Sequence, residues 1–342
     1  MTTPGLGFFR DATVLVTGGT GSIGSAIVEA LLADKPRAVR VLSRDDSKQF
    51  ELAQRFRDEP ALRMLIGDVR SRRRLDRALD GVDFVFHAAA MKHVPASEAN
   101  PFEATETNVG GTQNVIEAAI DAHVQRVLTI STDKAVDPSN VMGATKLLSE
   151  RLMSAAESWK GPVQTRFAAV RFGNVIGSRG SLVPLVRGQV ARGGPVTVTD
   201  PDMSRYLMPI GEAVKLCFEA MQRMEGGEVF ILKMPRVRVG DLIEVLIEAY
   251  APMYGYTPAD IAVEVIGSRP GEKPHEQLLT ADEAANAEDV DGMYLLHRGR
   301  AQEPGASVPG GRGNEPVLDR DGLRALLDTA GWLTPAELPS LG

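Results

Sequence analysis

The stretch Thr17-Gly18-Gly19-Thr20-Gly21-Ser22-Ile23-Gly24 decides the fold. It follows the β-branched run Thr13 to Thr17 and opens the amphipathic stretch Ser22 to Ala33, so it reads as the turn between a buried strand and a helix. Its glycines permit a tight turn and a close approach to the backbone. The helix that starts here offers unsatisfied N–H groups and its positive end to a pyrophosphate. A glycine-rich string alone is a weak signal. With the strand before it and the helix after it, Gly18, Thr20, Gly21, Ser22, Ile23 and Gly24 read as a dinucleotide cradle.

Outward from this turn, short buried runs alternate with helical spacing. Val39 to Ser43, Arg63 to Ile66, Asp83 to His87, Arg126 to Ser131 and Arg166 to Arg171 read as strands. Asp46 to Arg57, Ser71 to Leu79, Pro101 to Ala122 and Val141 to Ser158 carry apolar residues at helical intervals. The alternation predicts an α/β fold, a Rossmann-like doubly wound parallel sheet. After Arg171 the rhythm breaks, then recovers with a helix at 211–224, a strand at 228–233 and a helix at 239–250. We therefore expect a dinucleotide-binding domain over 1–175, to which 211–250 returns, and a smaller discontinuous substrate lobe from 176–210 and 251–342. The Gly-, Pro-, Arg- and Glu-rich stretch 298–315 predicts a mobile loop before a last helix at 320–330.

The 342 residues exceed one domain of roughly 150 residues. With 43% hydrophobic and 24% charged residues the chain is globular rather than disordered throughout. Thirty-eight basic against 45 acidic side chains leave a net charge of -7, the wrong sign for a nucleic-acid binder. The arginines at 70, 72, 73, 74 and 77 accordingly read as a solvated helix face. Cys217 is the sole cysteine, which excludes an internal disulfide and a cysteine-rich zinc site; no metal is expected. Neither a signal peptide nor a membrane span is apparent, and we expect a soluble cytoplasmic protein.

Ser43-Arg44 ends the second strand, where an NAD enzyme offers a carboxylate to the ribose. A hydroxyl with a guanidinium favours a 2'-phosphate, hence NADP over NAD, although Asp45 and Asp46 would serve NAD if turned inward. Asp68-Val69 after the third strand stands where an adenine contact would lie. Ala88, Ala89 and Ala90 after the fourth let backbone pack beside the cofactor. Each of these also has a plainer reading, a strand-ending turn or close packing.

Ser131-Thr132-Asp133-Lys134 ends the fifth strand at the carboxyl edge, where open α/β sheets place their chemistry. Lys146 follows in Met142-Gly143-Ala144-Thr145-Lys146. A short-chain dehydrogenase carries tyrosine four residues before this lysine; here position 142 is methionine. All five tyrosines, Tyr206, Tyr250, Tyr254, Tyr256 and Tyr294, lie beyond residue 205, and none has a lysine four residues later.

Together with Thr17 to Gly24, the segments Ala88 to Pro95, Asn108 to Thr112, Ser131 to Pro138, Asn140 to Lys146, Phe172 to Val175 and Arg269-Pro270-Gly271-Glu272-Lys273 resemble the inverting UDP-N-acetylglucosamine 4,6-dehydratases. These belong to the capsule and flagellin-sugar group of extended short-chain dehydrogenases. The likeness runs in order from about residue 8 to 296 and matches the group's short soluble form. It implies a redox-neutral lyase cycle: hydride leaves C4, the ketone acidifies C5, water leaves C6, hydride returns to C6, and C5 is reprotonated on the opposite face. Thr132 would hydrogen-bond the C4 oxygen, Asp133 protonate the C6 hydroxyl and Lys134 take the C5 proton. That last role needs a neutral amine, so burial, Lys146 or the cofactor's charge must lower the lysine's pKa. Lys146 would bind the nicotinamide ribose.

Met142 cannot accept the C4-hydroxyl proton, which leaves Asp133, a Thr132-linked water or help from Lys146. The resemblance adds Lys92 and Asn108 to the cofactor contacts. It places Lys92, His93, Asn174, Arg205, Arg269 and Glu272 at a UDP-sugar substrate, with Glu272 and Lys273 alternatively a structural ion pair. The chain departs from the common pattern at Asp137, Pro209 and Pro274-His275. The resemblance also implies a homo-oligomer, with a hexamer as one form. Two other functions fit the same features: a UDP-sugar 4-epimerase, which needs neither a C5 base nor a C6 acid, and a non-catalytic NADP-binding sensor.

Overall fold

The computed structural model describes residues 7–297, 308, 310–313 and 315–333. Strand β1 (Thr13–Thr17) is wholly buried and leads through the glycine turn into α1 (Ser22–Ala33), which lays Ile27, Val28, Leu31 and Leu32 on the sheet. The alternation continues through β2 (Ala38–Ser43), α2 (Asp46–Arg55), β3 (Leu62–Ile66), α3 (Arg72–Leu79) and β4 (Phe84–His87). Next come the short helices α4 (Val94–Ala99) and α5 (Pro101–Thr105), then α6 (Gly111–Asp121), β5 (Arg126–Thr132), α7 (Val141–Trp159) and β6 (Arg166–Phe172). The expected single helix over 101–122 is broken. A π-helical turn, Glu106–Gly110, separates α5 from α6 and carries the buried Asn108. Apolar spacing does not register such a turn, because the extra residue shifts the helix face without ending it.

Beyond β6 the chain forms β7 (Asn174–Val175), α8 (Leu182–Val190), β8 (Val196–Val198), β9 (Ser204–Met208), α9 (Ile210–Arg223) and β10 (Glu228–Leu232). It continues with β11 (Arg236–Arg238), α10 (Val239–Tyr250), β12 (Val263–Val265), α11 (Ala281–Ala285), β13 (Ala287–Val290), β14 (Met293–His297) and α12 (Arg320–Thr329). The main sheet has the order β13-β14-β10-β6-β5-β4-β1-β2-β3, parallel from β10 to β3 and antiparallel at β14 and β13. The order reverses between β1 and β4, the switch point where such sheets open a crevice beyond their carboxyl ends.

One core lies on the α1/α9 face, with Phe9, Phe86 and Phe218 packed ring to ring, and another lies under α3, α6 and α7. A separate core joins α8, α10 and α12. Helix α10, expected with the dinucleotide domain, therefore packs in the second lobe, where its apolar face meets Val186 and Leu323. Conversely Leu278, Leu279, β13 and β14 extend the main sheet and its core. The expected mobile loop 298–315 lies largely outside the described residues. Of those described, Val308 is buried and the Gly311 carbonyl accepts from the backbone N–H groups of Leu278 and Leu279.

Among the described residues, no helix is long and apolar enough to cross a membrane, and no group of three or more His, Cys, Asp or Glu is placed to hold a metal ion. The arginine cluster forms acidic pairs: Arg70 meets Asp68 at 2.8 Å and Arg72 meets Asp76 at 2.7 Å.

Candidate active site

A cleft of about 720 Å³ opens at the switch point. Its floor is the glycine turn. A Cβ on Gly18 would stand 2.7 Å from the Ala89 backbone, and one on Gly24 would stand 2.3 Å from the Gly18 carbonyl oxygen. Gly18 also has φ +66, which disfavours any side chain. Gly21 caps α1 without a side-chain hydrogen bond, so the first turn turns its N–H groups toward the cleft. These features fit the pyrophosphate of a dinucleotide.

Beneath this floor Thr17 Oγ1 meets His87 Nδ1 at 2.7 Å, and His87 Nε2 meets Thr112 Oγ1 at 3.2 Å. Burial, aided by the charge of Lys146, brings the His87 pKa down to about 3, so the ring is a neutral strut.

At the adenosine end, Ser43 Oγ bonds Thr20 Oγ1 at 2.7 Å, and Arg44 reaches into solvent beside the cleft, 3.6 Å from Asp68. Asp45 lines the cleft with its carboxylate engaged. It caps α2 by accepting from the Lys48 N–H at 2.9 Å and pairs with the Lys48 amine at 2.6 Å, while Asp46 is exposed. Burial raises the Asp68 pKa, but the Arg70 guanidinium and N–H outweigh it and the net shift is down. Val69 and Ala88 to Ala90 also line the cleft.

Asn108 does not line it. Its side chain accepts from the Met91 N–H at 2.8 Å and donates to the Met91 carbonyl at 3.0 Å and to Thr145 Oγ1 at 2.9 Å. It ties the Met91 backbone to Thr145 of α7. Lys92 and His93 do line the cleft, yet Lys92 Nζ donates to the Arg179 carbonyl at 2.7 Å and the His93 ring packs over Gly180. They latch the loop 177–181 across the glycine turn. Arg179 completes that latch: its N–H donates to Ser22 Oγ at 3.0 Å and its guanidinium to the Thr20 carbonyl. The sequence reading missed Arg179, Lys48 and this loop; its signal was Gly177 and Gly180, both at positive φ, bracketing Ser178-Arg179.

The reacting end is built where β5 stops. Thr132 and Lys134 face the cleft with Met142, Lys146 and Asn174. Asp133 lies just behind, fully buried, its Oδ1 2.9 Å from Thr132 Oγ1 and 3.0 Å from Lys134 Nζ. Its Oδ2 has no hydrogen-bond partner among the described residues. Glu276, which the sequence reading did not single out, places Oε1 3.4 Å from the same amine. Here the expectation for Lys134 is corrected. Burial pushes its pKa down, but Asp133 and Glu276 outweigh burial and the net shift is up. Lys146 is the lysine that moves the other way: burial, opposed by Glu150, lowers its pKa to about 8.

Arg205, Arg269 and Glu272 stand apart from the cleft lining. The Arg205 guanidinium holds Glu272 at 3.1 Å and the carbonyls of Ser204 and Pro274 at 2.8 and 3.0 Å, and Arg269 is exposed. Glu272 thus pairs with Arg205, while Lys273 Nζ donates to the Val136 carbonyl at 2.7 Å. The Gly271 carbonyl accepts from Ser139 Oγ at 2.8 Å and Asn140 Nδ2 at 2.9 Å. The motif at 269–273 is therefore stapled to the loop that carries Lys134.

Residues 14–298 match the family described as polysaccharide biosynthesis protein. The chain belongs to that family. An uncharacterised membrane protein of Methanocaldococcus jannaschii is 56% identical over 85% of this chain and 87% of its own length. The UDP-N-acetylglucosamine 4,6-dehydratase (inverting) of Campylobacter jejuni is 42% identical over 84% of this chain and 83% of its own. A relative named UDP-glucose 4-epimerase, from Rickettsia massiliae, reaches 40% over the same shares. Among solved structures, Pen from Bacillus thuringiensis superposes with a TM-score of 0.90 at 45% identity, covering 94% of this chain and 98% of its own.

Proposed function

We propose that this protein is a nucleotide-sugar 4,6-dehydratase, a hydro-lyase that acts on UDP-N-acetylglucosamine and inverts C5. The observation that carries the reading is the Thr132-Asp133-Lys134 cluster at the carboxyl end of β5, with a buried acid and an amine 3.0 Å apart beside a dinucleotide cleft. Epimerisation at C4 requires neither group, and a sensor requires no acid–base pair at all.

A nicotinamide dinucleotide bound in the cleft supplies the acceptor and donor of hydride. The glycine turn and α1 would hold its pyrophosphate beneath the loop 177–181. Thr132 orients the C4 oxygen. Lys146, with a pKa near 8, is the base for the C4-hydroxyl proton, because Met142 beside it has no site for one. Once C4 is a ketone the C5 proton is acidic; Lys134 removes it and Asp133 protonates the departing C6 hydroxyl. A proton reaching C5 from the other face inverts that centre. Proton NMR of UDP-N-acetylglucosamine with the protein in deuterated water tests this. A new C6 methyl signal with deuterium at C5 is the expected result; a C4 epimer without C5 label would refute it.

NADP is the favoured cofactor. Arg44 and Lys48 line the adenosine end, and the nearby acids Asp45 and Asp68 are occupied by Lys48 and Arg70. Arg44→Ala should weaken NADP binding about 10- to 100-fold, as expected for one charge-assisted contact, and leave NAD binding nearly unchanged. Titration calorimetry with both dinucleotides reads the difference, and equal losses for the two would exclude a 2'-phosphate contact at Arg44.

A further inference from the structure

We propose that Glu276 is the residue that exchanges a proton with Lys134 and so frees its amine to act on the sugar, an inference that rests on the dehydratase reading. It is a positioning residue, since it reaches the substrate only through Lys134. Two segments converge on this point. Asp133 and Lys134 come from the turn after β5, and Glu276 arrives from the segment 271–276, held by the bonds of Gly271 and Lys273 to residues 136–140. His275 anchors the same segment through Nδ1 to Ser204 Oγ at 2.9 Å.

Glu276 is buried. Its Oε1 stands 3.4 Å from Lys134 Nζ, and its Oε2 has no hydrogen-bond partner among the described residues. The amine therefore faces two buried carboxylates, with the charges of Arg205 and Lys273 also acting on Glu276. A buried carboxylate oxygen without a hydrogen-bond partner is costly as an anion, and a proton on Glu276 removes that cost. Burial, with the charge of Asp133, raises the proton affinity of Glu276 against the pull of Lys134, Arg205 and Lys273. The ammonium of Lys134 has no lone pair and cannot attack C5 as it stands.

The exchange balances. An N–H bond of the Lys134 ammonium breaks and an O–H bond forms on Glu276, so an ammonium and a carboxylate become an amine and an acid. The amine lone pair takes the C5 proton, and the C5–H electron pair moves onto the C4 carbonyl as an enolate. Lys134 passes this proton to Asp133, which gives it to O6 as the C6–O bond breaks and water departs. Glu276 then returns its proton to the amine. The proton from C5 leaves in the water, and the charge of the cluster is the same before and after.

Wild type, Glu276→Gln and Glu276→Asp, each loaded with NADP, are compared on UDP-N-acetylglucosamine in deuterated water. In the glutamine variant kcat should fall about 100-fold, as for loss of an acid–base group, with KM little changed. Deuterium entry at C5 should fall with kcat, while absorbance of the reduced nicotinamide, which reports C4 oxidation, still develops. The aspartate variant should recover part of the rate. If Glu276 were only a counter-charge, its removal would free the amine and raise turnover at high pH; that rise, or an unchanged kcat, overturns the proposal, as does loss of C4 oxidation together with C5 exchange. The Lys134 amine is also titrated by ¹⁵N NMR in wild type and variant, without substrate. A midpoint lowered by Glu276→Gln supports the pairing, and an identical midpoint overturns it. A wild type that yields no product overturns the dehydratase reading instead, and the titration still judges Glu276.

Discussion

Turnover of UDP-N-acetylglucosamine by Lys134→Met should fall about 10³- to 10⁴-fold, near the upper range for removal of one acid–base group, with deuterium exchange at C5 abolished. Methionine keeps most of the stem and removes the amine. No other described amine stands between Asp133 and Glu276 in hydrogen-bond reach of both. The proposed dinucleotide cradle, the Gly18–Gly24 turn, does not involve Lys134, so cofactor binding should persist. The second expected effect is on stability: without the cation two buried carboxylates face each other, and both can be charged only at high cost. The variant should therefore lose stability as pH rises and the carboxylates shed protons. Lys134→Arg separates the two effects, because a guanidinium keeps the charge but does not give up a proton. It should restore thermal stability and leave C5 exchange absent. A Lys134→Met protein that turns over within about tenfold of its parent would remove Lys134 from the C5 step.

The parallel sheet was legible because its signals are local. Strands β1 to β6 end within a residue or two of their β-branched runs, and α1 and α10 have the predicted bounds. The glycine turn was equally plain, since a strand, a turn and a helix are adjacent in sequence. What stayed hidden depends on partners far along the chain. The protonation of Lys134 could not be read from Thr132-Asp133-Lys134, because Glu276 arrives from the second lobe. Asn108 looked like a cofactor contact and proves to brace Met91, through a π-helical turn that leaves the hydrophobic spacing intact. Arg205 carries the charge suited to a diphosphate, but Glu272 and two carbonyls occupy its guanidinium. Residue type announced the chemistry in each case, and packing decided which group is available for it.

Arg171 shows the same logic where the consequence is stability. Among the described residues it is one of the largest fully buried side chains, at the end of β6 beside the cleft. Its guanidinium meets Glu150 at 3.1 and 2.7 Å, Glu283 at 2.8 and 3.0 Å, and the Leu278 carbonyl at 2.8 Å. It thereby ties α7, α11 and the segment after Glu276 to the sheet. Arg171→Met should destabilise the fold by about 3–5 kcal/mol, because the buried Glu150 and the partly buried Glu283 lose the cation they share. That corresponds to a fall in Tm on the order of 5–10 °C. Replacing all three at once, with Glu150→Gln and Glu283→Gln added, should recover much of the loss, since the cost lies in two carboxylates deprived of their shared cation. The single variant should also disturb the site. Glu150 is one helical turn beyond Lys146 and already opposes the lowering of its pKa to about 8. Without Arg171 to neutralise it, Glu150 pulls that pKa upward and leaves less neutral Lys146 at pH 8 to take the C4-hydroxyl proton. Calorimetric melting of the single and triple variants, with C4 oxidation followed against pH, tests both halves. A Tm unchanged in the single variant would show that the two glutamates can discharge without their arginine.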